Sequence, residues 1–372
     1  MTTKTRAFES PGKYFQGPGE MQHLEAYTAD YGKTVYAVTT PSFVTRVRRT
    51  LVPEFEKADR ALICEKFGGQ TDMEELKRLT VAAEAAGAEA VVGIGGGKAL
   101  DAAKYVGIQL TLPIVMVPTI VSTDAPTSAL SATYTAAGEH AGSIYYKRDP
   151  DVIVVDSQVI VDAPARFFAY GMGDALSTYF EAKAHVDHDV KNRVGDGYQT
   201  TLAAMALSEL CYATLMAKGV KAYQDVVAHR LTQDVEDIIE VNTLLSGIGV
   251  ESAGCAAAHA LNSGFSALPE CQEASHGEIV AFGTLCELVL EDWPRKTIHQ
   301  VMDFNLAVGL PVTLADIGLS SDDKARLMRV AQKAFTTKHI AAVPKATAPE
   351  VLVEAILRAD RLGRSMRTRL GQ

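Results

Sequence analysis

The sequence predicts a parallel α/β layer followed by an all-helical region, with the change falling near residue 162. Three observations carry that expectation. Short apolar runs alternate with helical stretches from about residue 33 to 118, the pattern of successive βαβ units. Strand signals end between Pro150 and Pro164, and beyond them Ala-, Leu- and Glu-rich windows are punctuated only by Gly and Pro. Finally, 372 residues exceed the size at which a single core stops growing, so two domains are expected, 1–162 and 163–372.

Taken in order, the strand-like runs are TVYAV, ALIC, AVVGIG and PIVMVP, with helices expected over 42–57, 71–87 and 98–109. That alternation predicts a parallel sheet with helices on both faces. A turn-rich segment, TIVSTDAPTSAL, follows. SATYT and SIYYK then alternate about AAGEHAG and predict a β-hairpin, and DVIVV supplies a last strand. Helical windows cover 164–186, 194–218, 232–266, 276–291, 295–307, 322–336 and 348–365.

Composition narrows the function classes. Hydrophobic residues make up 47% and charged residues 22%, with no low-complexity tract and no repeat at fixed period, which excludes disordered and solenoid classes. A net charge of -9 argues against a polyphosphate partner, so no nucleic acid is expected. The five cysteines (64, 211, 255, 271 and 286) are odd in number and contain no C-x-x-C pair, which reads as reduced thiols in a cytoplasmic protein. MTTKTRAFESPGKYF lacks the apolar centre of a leader peptide. No uninterrupted apolar run reaches about 18 residues, so no membrane span is expected.

Residues 89–105, EAVVGIGGGKALDAAKY, pass from a strand through three glycines into a helix. Free amides at that helix start would suit a pyrophosphate. The usual motif names do not apply: a Walker A loop would need Gly where Val92 stands and Ser or Thr at Ala99, and G-x-G-x-x-G from Gly93 fails at Lys98. Asp124, in VPTIVSTDAP, follows the next strand, where open α/β sheets present ligand-binding loops; it also reads as a simple turn starter before Ala125 and Pro126. Asp174 reads as a first-turn acid of an amphipathic helix, His259 as a packed histidine among small residues, and His276 as the opening residue of a helix. His185 and His188, in HVDHD, read as a solvated helix end, as do the basic clusters RVRR and RLGRSMRTRL.

Taken together, GIGGGKALDAAK, VPTIVSTDAPTSALSATYT, GMGDALSTYFEAKA, AAAHALNSGF and HGEIVAFG resemble the glycerol dehydrogenases of the iron-containing alcohol dehydrogenase superfamily, over residues 10 to 360. The resemblance implies a Rossmann-like N-terminal domain and an all-α C-terminal domain in the dehydroquinate synthase-like arrangement, with NAD and a small polyol in the cleft between them. It implies that Gly96, Gly97 and Lys98 meet the NAD pyrophosphate, supported by Asp101. Thr119 and Ser122 would contact the cofactor from the next loop, and Ser128, Leu130 and Tyr134 would border the nicotinamide half. Asp174, His259 and His276 would hold the metal, with Asp124, Asp174 and His259 as the catalytic and substrate-contacting groups and Asp124 on a substrate hydroxyl. No short spacing links the three metal candidates, and each alone reads as structural. The resemblance also implies a homo-oligomer, with an octamer as one form.

Three departures stand out. Thr178 occupies the position, four residues after Asp174, where iron-type relatives carry a histidine; three protein ligands and an open position suit catalytic Zn2+. Asn262 replaces a second histidine of the usual HAIHNG. Thr40 stands where an acidic residue would bind the adenosine ribose, which loosens the expected preference for NAD over NADP. Two other readings differ in kind: a phosphate-substrate relative such as glycerol-1-phosphate dehydrogenase or dehydroquinate synthase, for which Lys183 is the main nearby cation, and a catalytically silent NAD-binding protein.

Overall fold

Strands whose side chains are apolar on both faces must lie inside a sheet covered on both sides, and four strands of this protein answer that description. The computed structural model describes residues 4–135 and 140–370. Its six-stranded parallel sheet has the order β1-β8-β5-β4-β2-β3, from β1 (Lys13–Gly17), β2 (Thr34–Thr39), β3 (Ala61–Lys66), β4 (Ala90–Gly95), β5 (Ile114–Pro118) and β8 (Val152–Asp156). Every residue of β4, β5 and β8 is buried, whereas β3 and β1 at the edges are partly exposed. The edge strand β1 lies outside the sequence expectation. Its KYFQG is too short and too polar to announce itself, and its pairing to β8 is reinforced by Phe15 stacked on Tyr27 at 3.9 Å.

The sheet order reverses direction between β2 and β4, because β3 lies outside β2 while β5 and β8 continue on the other side. Ligands of open α/β sheets bind in the crevice at such a switch, at the carboxyl ends of the strands. Gly95 ends β4 there, and a methyl group on it would lie 3.0 Å from Thr40 Cβ, just past the end of β2. The expected hairpin is β6 (Leu130–Tyr134) against β7 (His140–Tyr145), antiparallel; most of its connecting loop, residues 136–139, lies outside the described residues.

From Ser157 onward the described residues contain no strand. Several expected helices are interrupted. The 42–57 window divides at Leu51, where Pro53 starts a new helix, and 164–186 divides into Ala165–Ala175 and Thr178–Asp187. Residues 194–201 are not helical: Gly195 and Gly197 take positive φ, and the helix starts at Leu202 behind a Thr201 side-chain cap. The 232–266 window contains a π-helical segment, Val241–Leu245, and breaks before Ala257. The break is at Gly254, φ 115°, where a methyl would fall 2.4 Å from the His185 ring. His185 is thus buried, with Nε2 2.8 Å from the Cys255 carbonyl oxygen, and not part of a solvated helix end.

Buried apolar residues form two main clusters and a small third one of Ala182, Ala204 and Ala253. One of the main pair packs the helix residues Val47 and Phe55 with Val115 of the sheet, and the other runs from the opposite face, through Val91 and Met116, into the helices of the second half. No single helix among the described residues is long and apolar enough to cross a membrane.

The helical half depends on one close crossing, between Ala165–Ala175 and His276–Leu290. Methyl groups on Gly173 and Gly277 would lie 2.4 Å from the Gly277 oxygen and 1.8 Å from the Tyr170 oxygen, and one on Gly171 would lie 1.9 Å from the Val121 oxygen in the loop after β5. Backbone meets backbone at all three, with no flexible side chain to yield. Gly277→Ala should therefore lower stability by about 1–3 kcal/mol, an overpacking cost, read as a lower thermal midpoint of the metal-free protein. An unchanged midpoint would contradict the close crossing.

Candidate active site

The crossing brings together residues more than a hundred positions apart. Asp174 lies in the last turn of Ala165–Ala175, not the first turn expected from sequence; the helix begins earlier, at Ala165 behind Pro164. A carboxylate there gains nothing from the helix dipole, whose negative end it faces. His276 opens its helix as expected, behind Ser275, which forms a capping box with Glu278. Its Nε2 is 3.1 Å from Asp174 Oδ1. His259, in the first turn of Ala257–Phe265, places Nε2 3.5 Å from the same oxygen. The three donor atoms lie within 4.8 Å of one another.

The electrostatics of this cluster call for a cation. Asp174 is 1% exposed. Burial alone would raise its pKa, yet His276 and His259 hold it well below the usual carboxylate range. Burial opposes charge on His259, but Cys255, Glu181 and Asp174 outweigh it and raise the ring's pKa well above the ordinary histidine value. Two buried carboxylates thus draw positive charge onto one imidazole. A proton supplies it in the metal-free molecule, and a divalent ion would supply it better, with two imidazoles and a carboxylate as borderline-to-hard ligands. The donor set fits such an ion.

Asp124 completes the site from the other half of the chain. Its backbone N–H donates to Asp174 Oδ2 at 3.3 Å, and its Oδ2 accepts from the Ser246 hydroxyl at 3.2 Å. Burial first, and then the neighbouring Asp174 charge, push its carboxyl up to about 6. Thr178 does not reach toward the cluster as a ligand: its Oγ1 lies 3.2 Å from Ser246 Oγ. A hydroxyl chain therefore runs from Thr178 through Ser246 to Asp124.

The loop bearing Asp124 also touches the glycine turn. A methyl on Gly97 would lie 3.6 Å from Ala125 Cβ and 3.7 Å from Thr123 Oγ1. Gly96 precedes the Gly97–Gln109 helix, and no side chain caps it, leaving first-turn amides at Gly97 and Lys98 available to an outside acceptor. Lys98 Nζ sits 4.5 Å over the Tyr134 ring, and burial lowers its pKa. Thr119 follows β5 directly, its N–H bonded to the Gly95 oxygen, with Ser122 farther along the same loop; Leu130 and Tyr134 alternate onto one face of β6, where Tyr134 meets Lys98. Two candidates turn inward instead. Asp101 accepts from Ala132 N and pairs with Lys104 at 2.9 Å, while the Ser128 hydroxyl accepts from Lys104 Nζ. They pin the hairpin to the helix that follows the glycine turn.

Sequence reasoning missed Glu181 and Ser246. Glu181 stands out only as an acid within the otherwise apolar YFEA, and Ser246 carries no signal at all.

Known proteins resemble this chain over nearly its whole length. Residues 11–157 match the iron-containing alcohol dehydrogenase family model. Glycerol dehydrogenase of Citrobacter freundii is 42% identical over 359 residues, covering 96% of this chain and 98% of that protein. Glycerol dehydrogenase of Thermotoga maritima is 43% identical over 357 residues, 95% and 96% of the two chains. The crystal structure of a probable glycerol dehydrogenase from Sinorhizobium meliloti superposes with a TM-score of 0.89 at 41% identity, over 98% of this chain and 100% of that one. On this similarity, which spans both the glycine turn and the Asp174, His259 and His276 cluster, the chain belongs to the glycerol dehydrogenases of the iron-containing alcohol dehydrogenase family.

Proposed function

We propose that this protein oxidises glycerol, and related small vicinal diols, to the corresponding hydroxyketone, with NAD as acceptor and zinc as the metal. The observation that carries the reading is the shared loop: Asp124 bonds Asp174 on one side, and its neighbours Thr123 and Ala125 line the glycine turn on the other. A metal and a dinucleotide held at these two places would face the same substrate. Three protein ligands, with Thr178 engaged by Ser246, support catalytic zinc over a four-ligand iron site. The α/β layer (1–162) and helical half (163–372) act here as two domains about this loop. Five free cysteines support a reducing, cytoplasmic setting, and Leu202 and Leu210, exposed on one helix, offer apolar surface to a homo-oligomer.

When bound, the divalent ion supplies Lewis acidity toward an alcohol oxygen and the nicotinamide supplies the hydride acceptor. The remaining work falls to the chain. Asp174, His259 and His276 would hold the cation, with Asp174 buried and His276 on the solvent side of the cluster. Asp124 accepts a hydrogen bond from the hydroxyl next to the reacting carbon, while Ser246 fixes the carboxylate's rotation, so that a vicinal diol is held at two points. Amides of Gly97 and Lys98 take the pyrophosphate at the Gly96 turn, Thr119 and Ser122 follow its path, and Leu130 and Tyr134 border the nicotinamide. Asp101 and Ser128 act through Lys104 to hold that wall in place. A phosphate-bearing substrate is less well served, because Lys183 pairs with Asp187 on a partly exposed helix face.

EDTA-treated protein should lose glycerol-dependent NAD reduction, and added zinc should restore it; full activity in protein shown to hold no metal would defeat the proposal. His259→Ala and His276→Ala should each abolish turnover while NAD binding, followed by fluorescence, stays close to the parent's. For Asp124→Asn, loss of a charge-assisted hydrogen bond of about 1.5–3 kcal/mol predicts a roughly 10- to 100-fold drop in kcat/KM for glycerol. A simple secondary alcohol should be much less affected, and an equal drop for both would remove the proposed role of Asp124.

A further inference from the structure

Glu181 lies on the Thr178–Asp187 helix with its carboxylate fully buried. Its Oε2 is 2.6 Å from His259 Nδ1. Its Oε1 accepts two backbone N–H groups, from Ala256 at 2.7 Å and from His259 itself at 3.0 Å. The other nitrogen of the same ring, Nε2, faces Asp174 Oδ1. The two nitrogens of one imidazole are thus assigned to two carboxylates on two helices.

We infer that Glu181 is the positioning residue of the metal centre, holding the His259 ring with its proton on Nδ1 so that the Nε2 lone pair points to the cation. A neutral imidazole carries one N–H, and an ionised carboxylate can only accept, so the proton belongs on the nitrogen facing Glu181. Metal ligation needs the bare nitrogen on the other side. The carboxylate cannot rotate away, because its second oxygen is tied to the backbone that carries the histidine. One side chain therefore sets both where His259 starts its helix and how its ring turns. Glu287, also buried, takes the intervening Ala258 N–H at 2.8 Å and completes the support of that helix start. The break at Gly254 and the small residues Ala256, Ala257 and Ala258 let the chain pass close enough for these bonds. The inference rests on the reading of Asp174, His259 and His276 as metal ligands, but not on the identity of the substrate.

Glu181→Gln tests it. The glutamine keeps the size and the carbonyl acceptor for the two backbone amides, but it turns an N–H donor toward Nδ1, which moves the ring proton to Nε2 and blocks ligation. Zinc affinity of the EDTA-stripped protein, measured by competition with a chromophoric chelator, should fall roughly 10- to 100-fold. The thermal midpoint of the stripped protein and its NAD affinity should stay near the parent's. A folded variant that takes up zinc as tightly as the parent overturns the inference, as does one whose stripped midpoint falls while zinc affinity holds. Should Glu181→Gln not fold, 15N-histidine spectra of the zinc-loaded parent decide, with the His259 signals assigned by their loss in His259→Asn. A proton on Nδ1 supports the inference and a proton on Nε2 overturns it. A parent that fails to oxidise glycerol, yet whose zinc affinity depends on Glu181, would overturn the functional proposal alone.

Discussion

A carboxylate sealed from water keeps its charge only where positive charge is brought to it, and the helical half of this protein is arranged around that requirement at Asp174. Two histidines approach one of its oxygens, and the backbone of the Asp124 loop takes the other. To bring them there, two helices must cross at near backbone contact, which the glycines at 173 and 277 permit, while Gly171 admits the loop after β5. The same demand propagates outward. His259 needs Glu181 behind it, Glu181 needs the amides of the following helix, and that helix needs a break at Gly254 in order to start where it does. The cluster is therefore a property of the packing as much as of its three side chains.

The α/β half is organised by a different constraint. Its glycine turn lies where the strand order reverses, and the loops after β4 and β5 converge there by topology alone. The buried pair Asp101 and Lys104 then anchors the hairpin over the turn. A polar strut of this kind costs desolvation, and its return is a wall held at one distance from the helix start. Asp124 is one of the points at which the two halves exchange hydrogen bonds, reaching Asp174 and Ser246 from a loop of the sheet.

Much of the α/β layer could be read from periodicity, because β2, β4, β5 and β8 are continuous apolar runs divided by amphipathic helices. Strand β1 escaped, since an edge strand draws its stability from its neighbour more than from its own five residues. In the second half, helix existence was legible and helix breaks were not: the one at Gly254 answers to His185, a partner far along the chain. The glycine turn could be argued from backbone physics. The metal cluster could not, because Asp174, His259 and His276 share no spacing, and resemblance alone put them together. Glu181 and Ser246 escaped even that, as each acts on a ligand or a substrate contact and not on substrate itself.

The hydroxyl chain from Thr178 through Ser246 to Asp124 bears on how such sites diverge. Thr178 is packed tightly: a methyl on Gly249 would come within 2.2 Å of its Cγ2, and Cys211 is buried close by. A histidine at 178 would have to displace that packing and would leave the Ser246 hydroxyl without its neighbour and Asp124 without a settled rotamer. A fourth ligand at position 178 would therefore need room that the packing against Gly249 does not leave.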